Sequence, residues 1–167
     1  MSAQSAGPAL PEGVTIRPFA PGDQAAARAL ILAGLVEHFG WADERANPDI
    51  EEIAASYVAA GHIFLVAECG AALVGTAGLM LEAGGSGRVV RVSVGRAHRR
   101  RGIAGALLWA LRAAATERGA TRLWMETNDD WPDAIGFYEA MGFREYARHD
   151  GSVYLALDLS ARPAPLA

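Results

Sequence analysis

The run Gly102–Arg118 places Ile103, Leu107, Leu111 and Ala114 at helical spacing, and Gly119 follows as a stop. A helix with one apolar face cannot stand alone, because that face has to be buried against another layer. The flanking segments, Val89–Val94 and Ala120–Glu126, are short and read as strands. This strand–helix–strand run excludes all-helical and all-β folds and predicts helices packed on a sheet.

The other segments extend the pattern. Val14–Phe19 alternates apolar and polar residues, as a strand does. Asp23 is placed to cap a helix with Ala27, Leu30, Ile31, Gly34 and Leu35 on one face. His38–Asn47 reads as a loop carrying Phe39 and Trp41, and Pro48 opens a second helix through about Ala60, with Ile53, Tyr57 and Val58 inward. Ile63–Glu68 and Ala72–Leu81 form a hairpin about Gly70-Ala71, followed by a flexible turn at Gly84-Gly85-Ser86-Gly87. Pro132–Met141 is a helix stopped by Gly142, and Phe143–Arg148 and Ser152–Asp158 pair about Asp150-Gly151. The order is β-α-α-β-β-β-α-β-α-β-β, an α/β (α+β) chain with a mixed sheet and helices on its faces. Residues 14–160 read as one domain, with 1–13 a disordered tail and 161–167 a second tail.

Composition narrows the chemistry. The 167 residues suffice for a core without metal or disulfide support, and Cys69, the lone cysteine, forms no internal disulfide. Net charge is −4, which argues against a general nucleic-acid binder. All 15 basic residues are arginine, which excludes a lysine Schiff base and a Walker A lysine. Met1–Gly13 lacks the pattern of a signal peptide, and the longest apolar stretch, Ala71–Leu81, is about half of a membrane helix. The expectation is a cytoplasmic protein without a membrane partner. His38, His62, His98 and His149 show no ligand spacing with Cys69 or each other, so no metal is expected. Ser86 lacks the setting of a hydrolase nucleophile, and no G-x-G-x-x-G follows the first strand.

The most informative corner is Val92-Ser93-Val94-Gly95-Arg96-Ala97-His98-Arg99-Arg100-Arg101-Gly102-Ile103-Ala104-Gly105. A strand enters a basic loop and then a helix whose first N–H groups lack intrahelical partners. The helix dipole adds positive potential, and Gly102, Ala104 and Gly105 are small enough for close approach. The corner suits a diphosphate. A solvated basic turn before a surface helix has the same composition.

Arg99-Arg100-Arg101-Gly102-Ile103-Ala104 resembles the acetyl-CoA signature of the GNAT superfamily of N-acetyltransferases, Gln/Arg-x-x-Gly-x-Gly/Ala. Ala134-Ile135-Gly136-Phe137-Tyr138-Glu139-Ala140-Met141-Gly142-Phe143 is similar to the family's later Ala-x-x-Phe-Tyr-x-x-x-Gly-Phe element. The two lie within a stretch, residues 92–143, that makes up roughly a third of the chain. Arg96 stands where many relatives carry Pro, and Ala104 where a second Gly is commoner. The resemblance implies a mixed, mostly antiparallel sheet of six to seven strands with about four helices. It also implies acetyl-CoA as co-substrate, bound between splaying strands that end at Val94 and Glu126. Main-chain groups of Val92, Ser93 and Val94 would pair with the pantetheine arm. Arg99 would add charge, and N–H groups of Arg100, Arg101, Gly102, Ile103, Ala104 and Gly105 would hold the pyrophosphate. Tyr138 would be the general acid for the departing thiolate; its spacing with Ala134 and Met141 equally fits a half-buried core residue. Where relatives often place a pantetheine-contacting Asn this chain has Trp131, so Asn128 is the substitute candidate, or it caps a helix with Asp129 or Asp130.

The acyl acceptor is expected to be a primary amine on a small molecule or peptide, attacking directly in a ternary complex. Glu126, with Glu82 as the alternative, is the candidate base, acting directly or through water; a solvated strand-end carboxylate is the plain reading of each. Glu37, His38, Phe39 and Trp41 form the candidate acceptor wall, with Arg148, His149 and Asp150 opposite. Packing of loop aromatics explains the first group as well. A homodimer is compatible with the sequence. The rival reading is a catalytically silent CoA-binding regulatory module, which Tyr138 and the two carboxylates argue against.

Overall fold

A computed structural model describes residues 7–160. Its sheet has seven strands: β1 (Val14–Pro18), β2 (Ile63–Cys69), β3 (Ala72–Glu82), β4 (Ser86–Val94), β5 (Arg122–Asn128), β6 (Arg144–His149) and β7 (Ser152–Asp158). Three α-helices accompany them: α1 (Gln24–Phe39), α2 (Ile103–Glu117) and α3 (Pro132–Ala140). The spatial order is β1-β2-β3-β4-β5-β7-β6, and β4–β5 is the parallel pair in an otherwise antiparallel sheet. The α/β class and strand count agree with the sequence reading. The parts of the expected tails at residues 1–6 and 161–167 lie outside the described residues, while Gly7 lies against the Trp109 indole.

Strand alternation divides the core in two. Leu65, Ala67, Ala77 and Leu79 join Ile103, Leu107 and Leu111 of α2, with Tyr138 and Phe143, in one cluster. Phe64 and Val66 point the other way, to Ala27 and Ile31 of α1 and to Ile50, Ile53 and Tyr57. Helices therefore cover both faces.

Four local expectations change. The second helix is a 3-10 turn at Pro48–Ile50 and a wide π turn at Ala54–Val58, where the Ala59 N–H reaches the Ala54 carbonyl (2.8 Å). Ile53 and Tyr57 are buried, but Val58 is 53% exposed because the wide turn rotates it away. Asp23 stands at the N-cap of α1 as expected, but its side chain caps no N–H of that helix; its carboxylate accepts from the Ala20 N–H (2.8 Å) and from Arg17 (2.7 and 2.9 Å). The expected loop at His38 begins later, since α1 runs to Phe39 and ends where Gly40 turns left-handed (φ 80°). β4 also starts earlier than expected, at Ser86.

The feature that positions the site is the separation of β4 from β5. They pair at Ser86–Arg122, Gly87–Leu123 and Arg88–Trp124, and no further pair follows among the described residues. β4 runs on to Val94 and β5 to Asn128, so the strands diverge. A register shift in β4 against β3 accompanies the divergence: Thr76 faces Ser93 but Gly78 faces Val90. The extra residue is a bulge, and Arg91 within it has φ 55°.

Candidate functional site

The diverging strands enclose a cavity of about 680 Å³. Val92, Ser93 and Val94 line one side, Glu126 and Asn128 the other, and Tyr138 also faces it. Arg99 and Ala104 close the end at the basic corner, and Glu37, His38 and Phe39 approach from the end of α1. Residues from five elements thus meet where the sequence reading put the cofactor.

At the basic corner the backbone is shaped by two left-handed residues, Arg100 (φ 59°) and Gly102 (φ 83°). The first helical bond of α2 runs from the Ala106 N–H to the Gly102 carbonyl (3.0 Å). The N–H groups of Ile103, Ala104 and Gly105 find no main-chain acceptor among the described residues. The Ile103 side chain is buried in the core, so it has only its N–H to offer. Nothing lies within 4 Å of a Cβ built on Gly102, so the corner is open on that side. Unpaired donors at a helix N-terminus form a cradle for an anionic diphosphate.

Arg99 plays a different part from the one expected. Its guanidinium grips Glu37 with two bonds (2.6 and 2.7 Å), and its Nε donates to the Val94 carbonyl (3.1 Å). The Glu37 carboxylate, held below its ordinary pKa by the Arg99 hydrogen bonds, is thus already paired within the chain. The Val94 carbonyl accepts one bond, from Arg99. Among the described residues, Arg96, Arg100 and Arg101 at the corner are exposed and have no carboxylate partner.

Tyr138 is 8% exposed, with its ring between Phe137 and Phe143. The ring belongs to the core, and the residue also lines the cavity. Its hydroxyl has no hydrogen-bond partner among the described residues. Burial raises the phenol's pKa above its ordinary value, so it stays protonated and can donate. Glu126 accepts from Ser152 Oγ (2.8 Å), from the Tyr154 hydroxyl (3.4 Å) and from Arg88 (3.4 Å). Glu82, the alternative base, accepts from the Trp124 indole (2.6 Å) and lies outside the cavity wall. Asn128 does not cap α3, whose N-cap is Trp131; its side chain stays with the cavity wall.

On the acceptor side, His38 stacks on Trp131 (centroids 3.8 Å apart, planes 15°) and meets Phe39 edge-on. Trp131, which the sequence reading treated only as a departure from the family pattern, bridges the two sides of the cavity. Trp41 does not join this wall: it follows the Gly40 break and is 67% exposed. Arg148, His149 and Asp150 also lie outside the wall; Arg148 pairs with Glu145 (2.9 Å), and His149 stacks on Tyr154. Met125, Thr127 and Phe137 line the cavity and were missed, since a buried strand or helix position and a wall position look alike in a sequence. Among the described residues, no cluster of His, Cys, Asp or Glu could hold a metal, and no helix is long and apolar enough to cross a membrane.

Residues 31–143 match the acetyltransferase (GNAT) family model. The chain belongs to the GNAT acetyltransferase family. It is 34% identical over 110 residues to N-acetyltransferase family 8 member 2 of Rattus norvegicus, covering 63% of this chain and 49% of that one. The chain spans about half the length of the curated relatives it matches. Its fold is similar to that of a GNAT-family acetyltransferase from Staphylococcus aureus (TM-score 0.81, 23% identity, 88% of this chain and 99% of that one). It is also similar to yncA of Salmonella typhimurium, solved with its cofactor acetyl-CoA (TM-score 0.73, 20% identity, 93% and 99%). As in any GNAT domain with this site, the chemistry then depends on what the cavity wall can hold and protonate.

Proposed function

We propose that this GNAT protein moves the acetyl group of acetyl-CoA to a primary amine, with the cofactor in the gap between β4 and β5. The observation that carries this reading is the gap itself, open beyond Arg88–Trp124 and ending at the unpaired N–H groups of Ile103, Ala104 and Gly105. The residues fit the group: main-chain donors with Arg100 and Arg101 for the diphosphate, and the free edge at Val92 and Ser93 for the amide-bearing arm. Acetyl-CoA would supply an activated acyl thioester.

The chain's own groups do the rest. Tyr138 keeps its proton at neutral pH and can give it, or a hydrogen bond, to the sulfur that gains charge as its bond breaks. Glu126, pinned by Ser152, can take a proton from the acceptor ammonium through water, leaving a neutral amine to attack the carbonyl directly. His38, Phe39 and Trp131 present aromatic faces to the acceptor, suited to cation–π contact.

A thermal melt with coenzyme A tests the reading. At about a hundredfold excess over Kd the stabilisation is about 2.7 kcal/mol, which raises Tm by roughly 5–11 °C in a chain of this size. An unchanged Tm at millimolar coenzyme A refutes it. A thiol-release screen over polyamines, amino acids and peptide N-termini then identifies the acceptor.

A further inference from the structure

Arg91 sits inside the β4 bulge with φ 55°, a conformation that disfavours any residue with a Cβ. Its side chain explains how the conformation is kept. Nε donates to Asp49 Oδ2 (2.9 Å), while one terminal nitrogen donates to Asp49 Oδ1 (2.6 Å) and to Asn47 Oδ1 (3.1 Å). The Tyr57 hydroxyl donates to the same Asp49 carboxylate (2.6 Å), and Thr76 Oγ1 donates to the Arg91 carbonyl (2.8 Å). Both charged side chains are only 20% exposed, and Tyr57 and Thr76 are fully buried. The bonds come from β3 and from the turns at Pro48–Ile50 and Ala54–Val58, and they converge on one residue of β4.

That residue lies three positions beyond Arg88, the last residue of β4 that pairs with β5. Arg91 also lines the cavity. A buried ion pair is a poor source of net stability compared with apolar packing, but it fixes geometry well. We propose that Arg91 and Asp49 are positioning residues that hold the bulge in its left-handed form and thereby set the gap between β4 and β5. This inference rests on the reading that coenzyme A occupies that gap. Without the pin, β4 relaxes toward regular pairing and the gap narrows.

Calorimetric titration with coenzyme A distinguishes this from a role in stability alone. D49N leaves Arg91 half-satisfied and should weaken coenzyme A binding tenfold or more, with KM for acetyl-CoA rising more than kcat falls. D49N also loses stability, so a second pair of variants, each also carrying Y57F so that no buried Tyr57 hydroxyl is left without its Asp49 acceptor, separates the two effects. R91M D49L replaces the ion pair with apolar volume and should keep its Tm near the wild-type value while still binding coenzyme A weakly. R91G D49L leaves a hole and melts lower, yet glycine takes positive φ freely, so its affinity should recover above that of R91M D49L. Affinity that follows the backbone at position 91, against the order of melting temperatures, supports the proposal. Wild-type affinity in D49N and in R91M D49L, or affinity that tracks Tm across the set, overturns it. Failure of the wild-type protein to bind coenzyme A overturns the reading of the gap, and this proposal with it.

Discussion

Replacing Gly102 by alanine isolates the backbone conformation at the diphosphate corner. Gly102 has φ 83°, and a Cβ built there meets nothing within 4 Å, so no clash contributes. The remaining cost is the left-handed backbone, about 1–2 kcal/mol for a residue with a Cβ. In a domain of this length that lowers Tm by roughly 2–8 °C. Gly105 provides the opposite case. It lies in the first turn of α2, and its Cβ would stand 3.7 Å from Met141 Sδ, an ordinary contact. Alanine there gains helix propensity of up to about 1 kcal/mol and raises Tm by roughly 2–4 °C. Differential scanning calorimetry of both variants, with and without coenzyme A, reads stability and the cradle together. G102A should melt lower and lose much of the ligand-induced shift, because relaxing φ turns the neighbouring N–H groups away. G105A should melt higher and keep the shift, because its N–H is unmoved. If both variants move Tm in the same direction, or if G102A keeps the full shift, the conformation drawn here for the corner is wrong.

Other outcomes follow from the same geometry. Y138F removes a hydroxyl without a partner, so Tm and coenzyme A affinity should hold while turnover falls by roughly 10²-fold in a steady-state assay; unchanged turnover removes the acid role. Because burial raises the Tyr138 pKa, the rate should show no loss from its ionisation near the ordinary phenol value of about 10. E126Q preserves an acceptor for Ser152 Oγ and should leave Tm in place while lowering turnover, read in the same assay. Burial pushes the Asp49 carboxyl up, but the bonds from Arg91 and Tyr57 outweigh it and hold its pKa below the ordinary value. Its stabilisation is therefore present above the unfolded carboxyl's value of about 3.9 and is lost as pH falls through the lower folded value. Below about pH 4, Tm should therefore fall more steeply with decreasing pH in the wild-type protein than in D49N, read from melts over a pH series.

Local signals were legible. Period-two alternation marked the strands, and the spacing of Ile103, Leu107 and Leu111 marked α2 and its buried face. Asp150 and Gly151, both with positive φ, were readable as a hairpin turn because such turns demand those residue types. The segment from Pro48 to about Ala60 reads as a regular helix because its apolar spacing suits one. The bonds that define it, to Gln24 and to Arg91, come from elsewhere in the chain.

The site divides the same way. Arginines beside a glycine ahead of a helix announce an anion corner, since the donors belong to consecutive residues. That Arg99 is occupied by Glu37, 62 positions away, could not be read from either residue. Nor could the pin between Arg91 and Asp49, 42 positions apart, or the stack of His38 on Trp131. The sequence by itself determined the elements, their order and the chemistry of the corner, because backbone propensity and side-chain periodicity act over a few neighbours. Only the tertiary structure decided where β4 leaves β5, which charges are free and which are spent on one another, because those depend on surfaces that meet only after the sheet has closed.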